Sequence, residues 1–185
     1  MTVRILKYKS ENQLYADFIA LSKEALNKFG IKGWQVRQLK QPFKFNLIKP
    51  SVFVSVTANN QLGRQYRKRS KNDFSVIREN SEKKEVRIRF SATRRALATD
   101  TIVSYNGWDI LSFIRAFQQS EGGIQYLSSL GYAQYRADET RQQDFINDSD
   151  DYEFLPSFEC VYLYTDTWAE QVGEIDKVIG NFYNF

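Results

Sequence analysis

Histidine is absent from the 185 residues, and the chain has one cysteine, one methionine and three prolines. Without histidine the usual general base near neutral pH and the commonest metal ligand are gone. The lone cysteine, Cys160, excludes an internal disulfide and a thiolate metal cluster. It stands in an apolar strand pattern, where burial keeps a thiol inert, and it is compatible with a reducing compartment. No apolar run approaches the roughly 18 residues that span a bilayer. The opening Met1-Thr-Val-Arg-Ile-Leu-Lys-Tyr-Lys9 lacks the apolar core of a secretory signal. The expectation is a soluble protein made in the cytoplasm, with no membrane partner.

Chemical motifs are missing too. Gly122-Gly123 follows a helical pattern and has no lysine-serine/threonine partner, so it is no phosphate loop and reads as a helix-to-helix turn. There is no Gly-x-Ser-x-Gly elbow. No carboxylate pair sits in the apolar setting that shifts a pKa. Asn147-Asp-Ser-Asp-Asp151 lacks the glycine and terminal glutamate of an EF-hand loop. The chain is expected not to be an enzyme and to hold no cofactor or metal.

What is present is a core. Hydrophobic residues make up 42% and aromatics 15%, which argues against disorder. The length fits one domain, residues 1–185, and a globule of this size buries roughly 70% of its unfolded surface. Formal net charge is +4, from 26 basic and 22 acidic residues. The charges are unevenly spread: residues 64–95 are strongly basic and 138–153 acidic.

Ser10-Glu-Asn-Gln13 reads as a capping box, with the Gln13 side chain reaching back. Leu14, Phe18, Leu21, Ala25 and Phe29 then recur at helical spacing, and Gly30 is a natural stop, giving a helix over 11–29. A short strand is expected from Trp34 to Lys40. Pro42 and Pro50 bracket an apolar loop carrying Phe43, Phe45, Leu47 and Ile48, which either folds over the core or meets a neighbouring subunit. Ser51–Thr57 is a strand, rich in β-branched and aromatic residues. Residues 59–73, with turn residues at both ends and little apolar content, read as a projecting loop or ribbon tip. Phe74–Arg78 and Glu85–Thr93 are further strands. In the latter Val86, Ile88, Phe90 and Ala92 face inward and Arg87 and Arg89 outward. Asn106 caps a helix with Trp108, Ile110, Leu111, Ile114 and Phe117 at its apolar positions. Gly122-Gly123 breaks it, and Ile124–Leu130 makes a second helix. Residues 134–153 are polar and acidic, with room for a brief strand, before an aromatic strand from about Phe154 to Tyr164. Ile175, Val178 and Ile179 suggest a final edge strand ahead of the aromatic tail. The order gives an α+β fold, an antiparallel or mixed sheet with helices on one face.

Two charged stretches are candidate contact sites. Arg64, Arg67, Lys68, Arg69 and Lys71 put five cations in eight residues around Tyr66. Such a run follows a phosphate backbone through counterion release, with Tyr66 available to stack on a base, or it pairs with an acidic patch on another subunit, or it is merely solvated. It contains no base-reading motif, so any DNA contact is independent of sequence. The acidic stretch is an exposed loop by the same reading, complementary in charge to the basic run of a neighbour. Trp34, Trp108 and Trp168 are core or interface anchors. Trp168, with the tail aromatics Phe182, Tyr183 and Phe185, lies outside the best-defined core elements and belongs with the interface residues.

Taken in order, these elements resemble the tail-terminator (neck-terminator) proteins of long-tailed bacteriophages. The resemblance covers most of the chain. It rests on the N-terminal helix, the Val52–Thr57 and Val86–Ala92 strands, and the Tyr105-Asn106-Gly107 opening of a helix. It also rests on the Leu127-x-x-Leu130-Gly131 helix end, the Phe158–Thr165 strand ending in Asp166, and the closing Gly173-Glu-Ile-Asp-Lys-Val178. The late strand has Phe158-Glu159 where relatives often carry a basic residue, and the basic run at 64–71 is particular to this chain. The resemblance implies a structural virion protein at the tail–neck junction. It implies a homo-oligomer, usually a hexameric ring, that caps the tail tube protein, meets the neck or connector protein and lets DNA pass through its lumen in non-specific contact. Other readings are a different head–tail joining or tail-tube protein, and a small basic nucleic-acid-binding domain.

Overall fold

The structure, a computed structural model, describes residues 2–39, 50–72, 75–93, 105–146 and 152–172. Among these, three helices pack against a mixed sheet, the α+β arrangement expected. The strands are β1 (Thr2–Lys7), β2 (Gln35–Gln38), β3 (Ser51–Asn72), β4 (Ser75–Thr93), β5 (Ala133–Ala137), β6 (Arg141–Ile146) and β7 (Tyr152–Val172). The helices are α1 (Glu11–Lys28), α2 (Gly107–Gln119) and α3 (Glu121–Ser129). The sheet runs β1-β7-β4-β3-β2, with β5 and β6 also paired to β7. β2 lies parallel to β3, and β1, β5 and β6 are antiparallel to β7. Only two residues separate the end of β3 from the start of β4, which fixes that pair as antiparallel, because a parallel pair needs a long crossover.

Several boundaries differ from the sequence expectation. Residues 59–72, expected as a projecting loop or ribbon tip, are the ribbon, the continuation of β3 beside β4, and the two strands expected between 74 and 93 are one. Ladder pairing supplies what the apolar pattern lacks there. Much of the acidic stretch is strand as well, because β6 pairs residue by residue with the start of β7, from Arg141 against Ser157 to Ile146 against Tyr152. β7 continues to Val172, where it holds β1, a strand the sequence pattern did not announce. The expected strand at 175–179, the apolar loop at 42–49 and the tail lie outside the described residues.

The chain forms two compact units: residues 1–8, 62–83 and 165–185 make one, and residues 9–61 and 84–164 the other. In the second, Leu14, Phe18 and Leu21 of α1 and Ile110, Leu111 and Ile114 of α2 are fully buried. They share one core with Val52, Val54, Val86, Ile88, Phe90, Phe158 and Tyr162 of the sheet. Phe18 is its aromatic centre, 4.5 Å from the Tyr162 ring and 5.0 Å from Tyr132, in tilted contacts that add to area burial.

Two glycines set how the helices meet the rest. A Cβ at Gly107 would stand 2.9 Å from the Ala92 carbonyl oxygen, so α2 starts hard against β4 only because that side chain is missing. A Cβ at Gly123 would fall 1.9 Å from the Phe117 carbonyl oxygen. The break between α2 and α3 is therefore not the Gly-Gly pair but Ser120, which ends one helix and caps the next. Its hydroxyl donates to Phe117 O at 2.7 Å and accepts from Gly123 N at 3.2 Å. Asn106 caps α2 through a full capping box with Asp109. Ser10 caps α1 by accepting from Gln13 N, but the Gln13 side chain turns forward to Asp17 instead of back.

That Asp17 is the one carboxylate on the buried face of α1. Lys9 Nζ donates to its Oδ2 at 2.6 Å, the Tyr132 hydroxyl donates to the same oxygen at 2.8 Å, and Gln13 Nε2 donates to Oδ1 at 2.7 Å. Lys9 also sits 4.1 Å from the Tyr132 ring centre. Burying a pair of charges is tolerable only when both are satisfied in this way. Asp17→Ala should lower unfolding free energy by about 3–5 kcal/mol, read from urea denaturation. Asp17→Asn, which keeps the shape and most hydrogen bonds, should lose less.

Candidate interaction surfaces

From Ser51 to Ser55 every residue of β3 is buried, and from Asn59 to Lys68 every residue is exposed. Ten consecutive exposed residues mean that neither face of this part of the strand is covered, whereas strands in antiparallel sheets ordinarily bury one face. Gly63 inside it takes φ +72°, a left-handed conformation that suits glycine and marks bulges. Arg64, Arg67 and Lys68 are exposed, with Tyr66 at 68% exposure among them. Arg69 and Lys71 continue β3, and their side chains lie outside the described set. The basic run, expected in a projecting loop or ribbon tip, is thus carried on a strand. A strand spaces alternate side chains roughly 6–7 Å apart on each face, a more regular array than a loop offers.

The other expected interface residues are placed unevenly. Trp168 lies in β7, half-buried, opposite Ile5 of β1. Phe43, Phe45, Leu47, Ile48, Phe182, Tyr183 and Phe185 fall outside the described residues. Trp108, expected on the apolar face of its helix, is 43% exposed. Trp34 packs on the core edge. Sequence reading missed Phe29 and Tyr105 as surface aromatics. Phe29 contacts Phe113 at 4.9 Å and Tyr105 meets Phe113 edge-on at 5.1 Å.

On the sheet face turned away from the helices, polar groups bind across strands. Thr57 Oγ1 lies 2.9 Å from Glu159 Oε2 and 3.2 Å from Arg87 O, with its single proton available to the nearer carboxylate. Arg89 stands 3.8 Å from Glu159, Arg87 2.9 Å from Glu85 and Arg136 2.8 Å from Asp138. The hydrogen bond and charge of Asp138 push the Arg136 pKa up from its ordinary value. Exposed pairs of this kind contribute little stability; they order the face and leave few charges uncompensated on it.

Cys160 is fully buried, and burial raises its pKa from 9.0 to about 11. Its thiol donates to Gln118 Oε1 at 3.3 Å, an oxygen that also accepts from the Tyr162 hydroxyl at 2.8 Å. Burial raises the Tyr162 pKa as well. Among the described residues no group of three or more cysteines, aspartates or glutamates is arranged to hold a metal, and no helix is long and apolar enough to cross a membrane.

A family model described as E217 gateway protein gp29 matches residues 13–174. The chain belongs to that family. The match takes in all three helices and every strand except β1. It makes the chain a phage structural protein of the portal/gateway type, with a head–tail-connector role in the virion. No curated protein matches the chain.

Both Cys160 and Tyr162 have folded pKa values above their unfolded ones, so the stability they contribute is fully present below pH 9. It should drain away as pH rises toward about 11. Unfolding measured from pH 8 to 11 should show this loss, smaller in Cys160→Ala, and Cys160 should resist a thiol reagent at pH 8 until the chain unfolds.

Proposed function

We propose that this gateway-family protein terminates the tail tube and joins it to the neck. In this reading several copies form a ring, with six the number implied by the tail-terminator likeness. One face of the ring docks on the last layer of tube protein and the other meets the connector, so that DNA passes through the lumen. The role is steric and non-catalytic. The observation that carries it is the length of β3 exposed on both faces and lined with cations, inside a chain whose family belongs to the phage particle. Ten exposed residues in a row add little to a buried core, so the value of this stretch lies in what it touches.

The chemistry suits DNA in transit. Arg64, Arg67 and Lys68 with Tyr66 offer charge and one aromatic ring in a run with no recognisable base-reading motif. Contact through phosphates is sequence-blind and leaves the duplex able to slide. A site that read bases would stall it.

Particles assembled without the protein should carry tails of irregular or excess length that fail to join heads. Absent tails would point instead to a tube component, and normal particles would end the proposal. Arg64→Glu, Arg67→Glu and Lys68→Glu together should leave thermal unfolding nearly unchanged, since the sites are exposed. They should reduce the slope of DNA affinity against salt by about one per cation removed. An unchanged slope would remove the ribbon from DNA contact.

A further inference from the structure

β2 is the outermost strand on its side of the sheet among the described residues. Gln35 N donates to Pro50 O and Leu39 N to Val54 O, so the odd positions turn their backbone groups toward β3. By alternation, Val36 and Gln38 turn theirs outward, where no backbone group of the described residues meets them. Beside this edge runs a groove of about 400 Å3 between β2 and the last turns of α1, floored by Leu26, Ile31, Trp34 and Val36 and flanked by Lys23 and Arg37.

The charges beside the groove are of one sign. From residue 23 to residue 39 the cations are Lys23, Lys28, Lys32 and Arg37, and Glu24 is the one carboxylate. Glu24 lies 4.0 Å from Lys28, and the Arg37 guanidinium donates to the neutral Gln35 side chain. No carboxylate of this stretch therefore offsets Lys23, Lys32 or Arg37. Lys23 and Lys32 are exposed.

Three features together define an occupant. The outward N–H and C=O groups at Val36 and Gln38 match an extended backbone, as in strand addition generally. The apolar floor takes alternate side chains from one face of that strand. The cations at the rim select carboxylates on it. Nucleic acid matches the charge but has neither a peptide backbone for the ladder nor apolar side chains for the floor. A second copy of this chain is a poor match. Its other outer strands among the described residues carry Arg4 and Lys7 in β1, Arg136 in β5, and Arg141 with Asp144 in β6, and none has an excess of carboxylates. We propose that the β2 edge and its groove bind an extended segment of a different virion protein, one that alternates apolar and acidic side chains. The contact rests on the chain's place in the phage particle and not on termination of the tail tube.

Photocrosslinking in assembled particles tests it. Gln38→Cys protein is labelled with benzophenone maleimide, the native Cys160 being buried, and is built into particles and irradiated. The attached peptide is then sequenced by mass spectrometry. The expected product joins position 38 to a segment of another virion protein in which carboxylates and apolar residues alternate. A link to this chain, to DNA or to a segment without carboxylates, or no link in particles that contain the labelled chain, would overturn the contact. A synthetic peptide of the captured segment is next measured against the purified chain. Gln38→Pro removes an outward N–H without touching the β3 ladder and should weaken peptide binding about tenfold, the scale of one lost hydrogen bond. Lys23→Glu with Arg37→Glu should weaken it by a similar factor. A peptide with lysine in place of its carboxylates should bind that charge-reversed chain better than it binds the original. Binding at full strength in both variants, with thermal unfolding unchanged, sinks the edge contact and leaves the tail-terminating role standing. Normal particles without the protein sink that role itself.

Discussion

A β-strand needs something to lie against, and the architecture follows from where β3 has that and where it does not. From Ser51 to Ser55 it is buried, with Val52 and Val54 in the core shared with the helices. From Asn59 onward no side chain through Lys68 is covered. Hydrophobic burial supplies the stability of the first stretch, at about 25 cal/mol per Å2 of apolar surface. The second stretch has little apolar surface to bury, and it is held by its ladder to β4 and, at its start, by the Tyr164 hydroxyl donating to Asn59 Oδ1 at 3.0 Å. Folding does not require ten consecutive exposed residues of mostly charged and polar strand, which is why the proposed contact with a charged partner is placed there.

The core, in turn, is tied together by polar groups at two points. Asp17 takes Lys9, Gln13 and Tyr132, which fixes the approach to α1 and the segment after α3 to the same helix face. Gln118 gathers Cys160 and Tyr162 on α2, fixing that helix over β7. Buried polar groups of this kind stabilise little against an apolar replacement, and Gln118 Nε2 has no hydrogen-bond partner among the described residues, but the bonds they do make require one arrangement. They hold the register of helices on sheet, and through it the position of the sheet's outer strands, which a contact surface requires more than it requires extra stability.

How much of this was legible depended on what physical signal each residue carries. The α1 helix declared itself through Leu14, Phe18, Leu21 and Ala25, and the β4 face through Val86, Ile88, Phe90 and Ala92, because those side chains are buried on one face and the period is unambiguous. Asn106-Gly107 was visible as a helix opening, and the structure supplies the reason glycine follows, its closeness to Ala92 O. The strand at 59–72 was invisible as such, since a strand exposed on both faces shows no alternation. Its cations were seen, while their spacing along a ladder was not. β1 escaped for a related reason: only its pairing with β7 makes it a strand. Asp17 was available as a signal, an acid at an apolar-stripe position, and a charge there calls for a partner. Lys9 and Tyr132 are 8 and 115 residues away, and no local pattern connects them.

Charge placement bears on why a sheet with open edges among the described residues need not aggregate at random. Open strand edges are templates for pairing. Beside β2 the described charges are mostly basic, Lys23, Lys28, Lys32 and Arg37 against Glu24, so two such edges brought together repel. Like charges brought face to face cost several kcal/mol at an interface. The bulge between Gln134 and Arg136 and the Arg136–Asp138 pair blunt β5 as an indiscriminate edge. The repulsion acts over about 8–10 Å at physiological salt, short enough that it operates only once two edges are already aligned.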